Sequence, residues 1–353
     1  MESAVTLKWM RKPAIAIPAA LVVVAVVAVL VTLALTSTPT ASRKTVPKVP
    51  ATAPLARVRG PLLSPFTGEP VKSLGPVLAV KIDNIVYARP QTGLTDADII
   101  YVLPVEGGLS RFLAIFSSHV PPVVGPVRSS RQDDIELLRQ FGRPAFAFSG
   151  AQPQLLPVVE GARIVDLYVG RHPAGYFRSS SRIAPYNLYA HTSTLLKEAW
   201  SASKAHSIGF TFGPAPSGGR RVATESVSYP AASFRFTWYQ PHKDWLVWID
   251  GARGETTEGR QLAPSTVVIQ YTTVSTSVFK EEGLRPPYAQ TVGRGYALVL
   301  RDGRAYRARW SRPNWNVGTT FTTLNGRPMN FAQGQVWIVL VGKNRQSRVD
   351  ESQ

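Results

Sequence analysis

Residues 14–35 constrain this chain most, because 22 consecutive positions carry no charge. At the 1.5 Å rise of an α-helix they reach about 33 Å, enough for a hydrocarbon layer of about 30 Å. Lys8, Arg11 and Lys12 precede the run, and the positive-inside rule then places residues 1–13 in the cytoplasm. The rival reading is a cleaved signal peptide, whose apolar stretch is usually about 7–15 residues and ends in a small-x-small site. This run is longer, and residues 33–42 offer no clean Ala-x-Ala. The sequence predicts an uncleaved transmembrane anchor at 14–35, with the rest of the chain outside the cytoplasm.

Residues 36–60 are rich in Pro, Thr, Ala and Ser and cannot bury much apolar surface, so they read as a semi-extended stalk. Residues 61–353 are numerous enough for two domains. The Gly- and Pro-rich stretch 209–219 suggests the hinge. The expected division is 61–208, 209–345 and a tail at 346–353. No residue is cysteine, which removes disulfides, thiolate nucleophiles, Fe–S clusters and thiol lipidation together. The net charge of +18 suggests nucleic acid at first, but an exported chain meets anionic headgroups and wall polyanions instead.

The first half alternates strand and helix patterns. Residues 77–82, 99–103 and 112–116 are β-branched and aromatic runs that read as buried strands. Residues 133–141 read as a helix with acids in the first turn, Arg139 in the last and Gly142 beyond it. Strands at 144–150 and 164–168 and helices at 154–160 and 192–203 complete that half. Leu195, Leu196, Ala199 and Trp200 form the buried side of the last helix. The second half reads as strand. Phe234, Phe236 and Trp238 alternate with polar residues, Asp302-Gly303 and Asn325-Gly326 mark hairpins, and 336–341 is a fully buried strand. Gly293-Arg294-Gly295 reads as a bulge. The expected class is α+β: a mixed α/β domain, then a mostly antiparallel β domain, behind one transmembrane helix.

Two charged motifs sit among these apolar runs. Glu106-Gly107-Gly108 is followed by Arg111, and Arg128-Ser129-Ser130-Arg131 leads into Asp133-Asp134. Ionised groups are rarely buried unpaired, so a built polar cleft is expected from Glu106, Arg111, Arg128, Ser129, Arg131 and Asp133. The glycines allow a sharp turn or a close approach to a ligand, and guanidinium forks before a helix start suit phosphate or carboxylate. The bland alternative is that these charges only neutralise one another. Among the tryptophans, Trp310 and Trp315 flank a loop-like Arg312-Pro313-Asn314 and are candidate glycan contacts by stacking. The five histidines show no metal-ligand spacing, and no cofactor or metal is expected.

These same residues carry a family resemblance. Pro90-Gln91-Thr92-Gly93-Leu94, Asp96-Ala97-Asp98, Glu106-Gly107-Gly108, Arg111-Phe112 and Gly125-Pro126-Val127-Arg128-Ser129 resemble the YerB-like family over roughly residues 60–345. That family consists of bacterial cell-surface proteins, commonly lipoproteins, built on paired domains of unknown function. The chain departs from it in lacking a lipid-bearing cysteine, and in Tyr186 where a His is expected before Asn187-Leu188-Tyr189. The resemblance implies a location and a fold but no activity. The expected function is therefore a membrane-anchored extracytoplasmic binding protein that recognises a cell-wall polymer or a wall-synthesis protein through the Arg/Glu cleft. The expected partners also include the cytoplasmic membrane and exclude nucleic acid. The alternative is an enzyme acting on a phosphate-bearing wall or lipid precursor, with Glu106 or Asp133 as base.

Overall fold

Strands β1 (Leu78–Asp83), β2 (Ile99–Pro104), β3 (Ser110–Phe116), β4 (Ala145–Phe148) and β5 (Val165–Tyr168) come from the first half of the chain. The second half supplies β6 (Thr224–Tyr229), β7 (Ala232–Tyr239), β8 (Asp244–Ile249), β9 (Thr266–Thr272), β10 (Gly293–Arg301), β11 (Arg304–Arg312), β12 (Thr320–Thr323) and β13 (Val336–Gly342). This computed structural model describes residues 60–280, 285–343 and 349–351. The anchor expected at 14–35 and the stalk before Gly60 lie outside the described residues, as does part of the tail.

One eleven-stranded sheet runs β12-β11-β10-β9-β13-β2-β3-β1-β4-β5, with Arg220–Arg221 paired off β11. Strands from the two halves meet at its centre, where β13 pairs in parallel with β2 on one side and β9 on the other. Because β3 runs antiparallel to both β1 and β2, and β4 and β5 follow β1 in parallel, six strands point the same way. The carboxyl ends of β9, β13, β2, β1, β4 and β5 therefore lie along one edge.

The continuous apolar runs are explained by burial on both faces, as in parallel sheets. Leu78, Val80 and Ile82 of β1 join one core, while Val77 and Ala79 join the other. The first core is closed by the second sheet, β6–β7–β8, whose Phe234, Phe236 and Trp245 are buried. Trp337 of β13 packs edge-on to Phe112, Phe234 and Phe236 and joins the two sheets. The second core is covered by α1 (Gln132–Leu138), by α2 (Leu156–Glu160) and by Phe141, Phe210 and Phe331.

The protein is mostly β with few helices. Besides α1 and α2, the described residues hold only one α-helix, α3 (Thr192–Glu198). The helix expected to reach residue 203 stops at Glu198, because Ser203 instead exchanges backbone hydrogen bonds with Arg143 and Val77. Trp200, expected in the core, is consequently 86% exposed. Pro157 sits in the first turn of α2, where a missing N–H costs nothing. The second half is less uniformly antiparallel than its sequence suggests, since β9 and β13 pair in parallel. Both hairpin signals mark turns: Asp302 and Gly303 take positive φ between β10 and β11, and Gly326 does so after β12. No bulge occurs at 293–295, where the β10–β11 register is unbroken. Gly295 is needed because a Cβ there would lie 2.6 Å from the indole nitrogen of Trp310.

Candidate functional site

The charged motifs meet at the carboxyl ends of β1 and β2. Open α/β sheets commonly bind ligands at this edge. Register places Arg111, near the start of β3, opposite both Asp83 of β1 and Leu103 of β2. The loop carrying Arg128 is laced to the same edge. Arg128 N–H donates to the Lys81 carbonyl, Asp83 N–H to the Pro126 carbonyl, and Ser149 N–H, just past β4, to the Arg128 carbonyl. Glu106 lies in a tight turn whose two glycines both have positive φ. At Gly108 a Cβ would also meet Pro230 at 2.5 Å.

Glu106 binds Arg131 rather than Arg111: Arg131 Nε donates to Oε1 at 2.6 Å and Nη2 to Oε2 at 3.1 Å. Burial raises the Glu106 carboxyl, but the Arg131 hydrogen bonds and charge outweigh it and hold the group below its ordinary value. Asp83 serves the other two arginines. Its Oδ2 lies 2.8 Å from Arg128 Nε and its Oδ1 3.9 Å from Arg111 Nε. Neither approach is aligned as a hydrogen bond. Arg111 is 8% exposed, and its Nε and Nη1 have no hydrogen-bond partner. Burial, then the charges of Arg131 and Arg128, push it down to about 10 against the pull of Asp83 and Glu106.

Behind this pair lies a sealed set of charges. Lys81 and Asp134 are fully buried and 2.7 Å apart. Burial lowers the Lys81 ammonium even with Asp134 and Asp133 beside it. Asp134 Oδ2 also accepts the Arg131 backbone N–H at 2.7 Å, which caps the start of α1 from within. Asp133 is 1% exposed and accepts from the Ala289 N–H at 3.2 Å. Burial, then Asp134, raise it to about 7.

Of the residues expected from sequence, Glu106, Arg111, Arg128 and Arg131 are thus brought together. Ser129 is half-buried beside Gly150. Asp133 faces the interior. A cavity of about 400 Å³ opens beside Glu106–Gly108, lined also by Val274, Ser275, Thr276 and Arg285. Glu106 has both oxygens held by Arg131, and Asp133 is sealed, so neither carboxylate is poised as a general base. Among the described residues no group of three or more His, Cys, Asp or Glu is placed to hold a metal ion.

The two tryptophans separate. Trp310 is 2% exposed and donates its Nε1 hydrogen to the Tyr271 carbonyl. It is a core residue with no face for a glycan, because β-strand alternation points it inward between exposed Arg309 and Ser311. Trp315 is 52% exposed, with the Arg139 guanidinium 4.6 Å from its ring centre. Sequence reasoning missed Asp83, Lys81 and Asn84. The signal for the first two was a pair of charges within the apolar run 77–83, where each residue proves buried.

Two family models match in order: the N-terminal domain of the proteins of unknown function DUF3048 over residues 66–206, and its C-terminal domain over 225–338. YerB of Bacillus subtilis (strain 168), named as a candidate lipoprotein, is 27% identical over 310 residues, covering 83% of this chain and 88% of that protein. The crystal structure of YerB protein from Bacillus subtilis superposes with a TM-score of 0.70 at 21% identity, over 82% of this chain and 99% of that one; at that identity the likeness speaks for the fold. The chain belongs to the YerB-like family and carries its paired DUF3048 domains.

Proposed function

We propose that this protein is a membrane-anchored, extracytoplasmic binding protein of the bacterial envelope, and that Arg111 and Arg128 recognise an anionic group on a wall component or wall-synthesis partner. The observation that carries the reading is the guanidinium of Arg111, buried with Nε and Nη1 lacking any acceptor. Buried polar groups are nearly always hydrogen-bonded, and a carboxylate or phosphate oxygen is the acceptor that a guanidinium fork takes best. Arg128, one-fifth exposed beside it, gives the site an opening. The apolar run at 14–35 and the lipoprotein name of the Bacillus relative support the location.

Inorganic phosphate binding by calorimetry and retention on purified cell wall test the reading. Arg128→Ala removes a partly exposed side chain, so the variant keeps its fold and loses both signals. Phosphate binding and wall retention equal to the parent's would refute the assignment.

A further inference from the structure

Resting on that reading, we propose that Tyr87 and Tyr186 complete the site, and that its ligand is a saccharide bearing an acidic group. The Arg128 guanidinium lies 5.8 Å from the centre of the Tyr186 ring. Tyr186 in turn lies 5.7 Å from Tyr87, with ring planes 31° apart. Guanidinium and aromatic faces therefore form one continuous surface. It is held by a tie between its two loops, Arg182 Nη2 donating to the Pro90 carbonyl at 2.5 Å. Asn84 also accepts from Arg89 and so braces the turn that carries Tyr87.

The Tyr87 ring is not spent on packing, and Tyr186 is half-buried between it and Arg128. Tyr87 is 63% exposed, as are Val86 before it at 62% and, on the Tyr186 loop, Ile183 at 70%. An aliphatic anchor from a protein partner needs an enclosing pocket, which this open platform does not supply. A sugar ring needs only a face. Its C–H side meets the electron-rich face of a tyrosine, its hydroxyls stay in water, and aromatic contacts of this kind are directional. An acid on that ring then meets Arg128, whose guanidinium already lies against the Tyr186 face.

The test uses the full chain in mild detergent, titrated with four probes: inorganic phosphate, glucose, glucose 1-phosphate and glucuronate. The two acidic sugars distinguish a phosphate from a carboxylate as the acid. At least one acidic sugar is expected to bind roughly 3- to 10-fold tighter than phosphate, the range of one or two aromatic contacts. Tyr87→Ala combined with Tyr186→Ala should erase that gain, and Tyr87→Phe should keep it. If phosphate binds through Arg128 but the acidic sugars gain nothing, or the double alanine variant keeps the gain, this inference falls and the anion reading stands. If no probe binds in an Arg128-dependent way, both fall. Tighter binding of a short acidic peptide than of either sugar would assign the platform to a protein partner and overturn the saccharide.

Discussion

Asp133→Asn isolates the electrostatic cost of the sealed charges behind the site. Asp133 Oδ1 has no hydrogen-bond partner, while Oδ2 accepts the Ala289 N–H. The titratable groups that act on it are Asp134 and Lys81, and it acts in turn on Tyr288. With a folded value of about 7 against an ordinary 3.8, both folded and unfolded chains hold the proton below pH 4. Between about pH 4 and 7 the folded chain keeps a proton that the unfolded chain has released. Stability therefore falls with rising pH across that window and levels off above it. At about 1.36 kcal/mol per pH unit, the loss is about 4 kcal/mol. Asparagine has the shape of the protonated acid, keeps an acceptor for Ala289 and does not titrate. The variant should match the parent near pH 4 and exceed it by up to about 4 kcal/mol at pH 8. Urea unfolding followed by tryptophan fluorescence at several pH values reads the difference directly. A gap between the two proteins that stays constant from pH 4 to 8 refutes the placement of Asp133 as a neutral, buried acid.

Lys81→Met leaves Asp134 buried without its ammonium and should cost about 3–5 kcal/mol in urea unfolding. Adding Asp134→Leu should recover much of that, less the cap bond to Arg131 N–H. Trp310→Ala should cost about 3–5 kcal/mol by opening the second core, and Trp315→Ala under about 1 kcal/mol. Equal costs would contradict the burial difference between the two tryptophans.

How legible each part was depended on how local its determinants are. The turn at Asp302-Gly303 is set by two adjacent residues able to take positive φ, and sequence alone marks it. The run 336–341 reads as a buried strand from its own composition. Its neighbours do not, because β13 pairs in parallel with β2 from the other half of the chain, and nothing within either run encodes that choice. That Glu106, Arg111, Arg128 and Arg131 come together was legible, but which of them pair was not. Glu106 and Arg111 lie five residues apart and suggest a partnership, yet the β1–β3 register sets Asp83 opposite Arg111, and the turn carries Glu106 to Arg131.

That exchange is what gives the site its character. By composition the cluster is balanced, with Lys81, Arg111, Arg128 and Arg131 facing Asp83, Glu106, Asp133 and Asp134. By geometry it is not. Glu106 is consumed by Arg131, Asp134 by Lys81, and Asp133 holds its proton to about pH 7. Asp83 alone is left between two guanidiniums, within 2.8 Å of Arg128 but 3.9 Å from Arg111. A charge tally would call these residues self-neutralised; the mismatch appears only when each atom is assigned, Arg111 Nε and Nη1 being left without an acceptor although Asp83 Oδ2 and Asp133 Oδ1 accept no hydrogen bond. Because the open donors belong to a buried arginine at the carboxyl ends of β1 and β2, an oxygen anion is the ligand we propose for it.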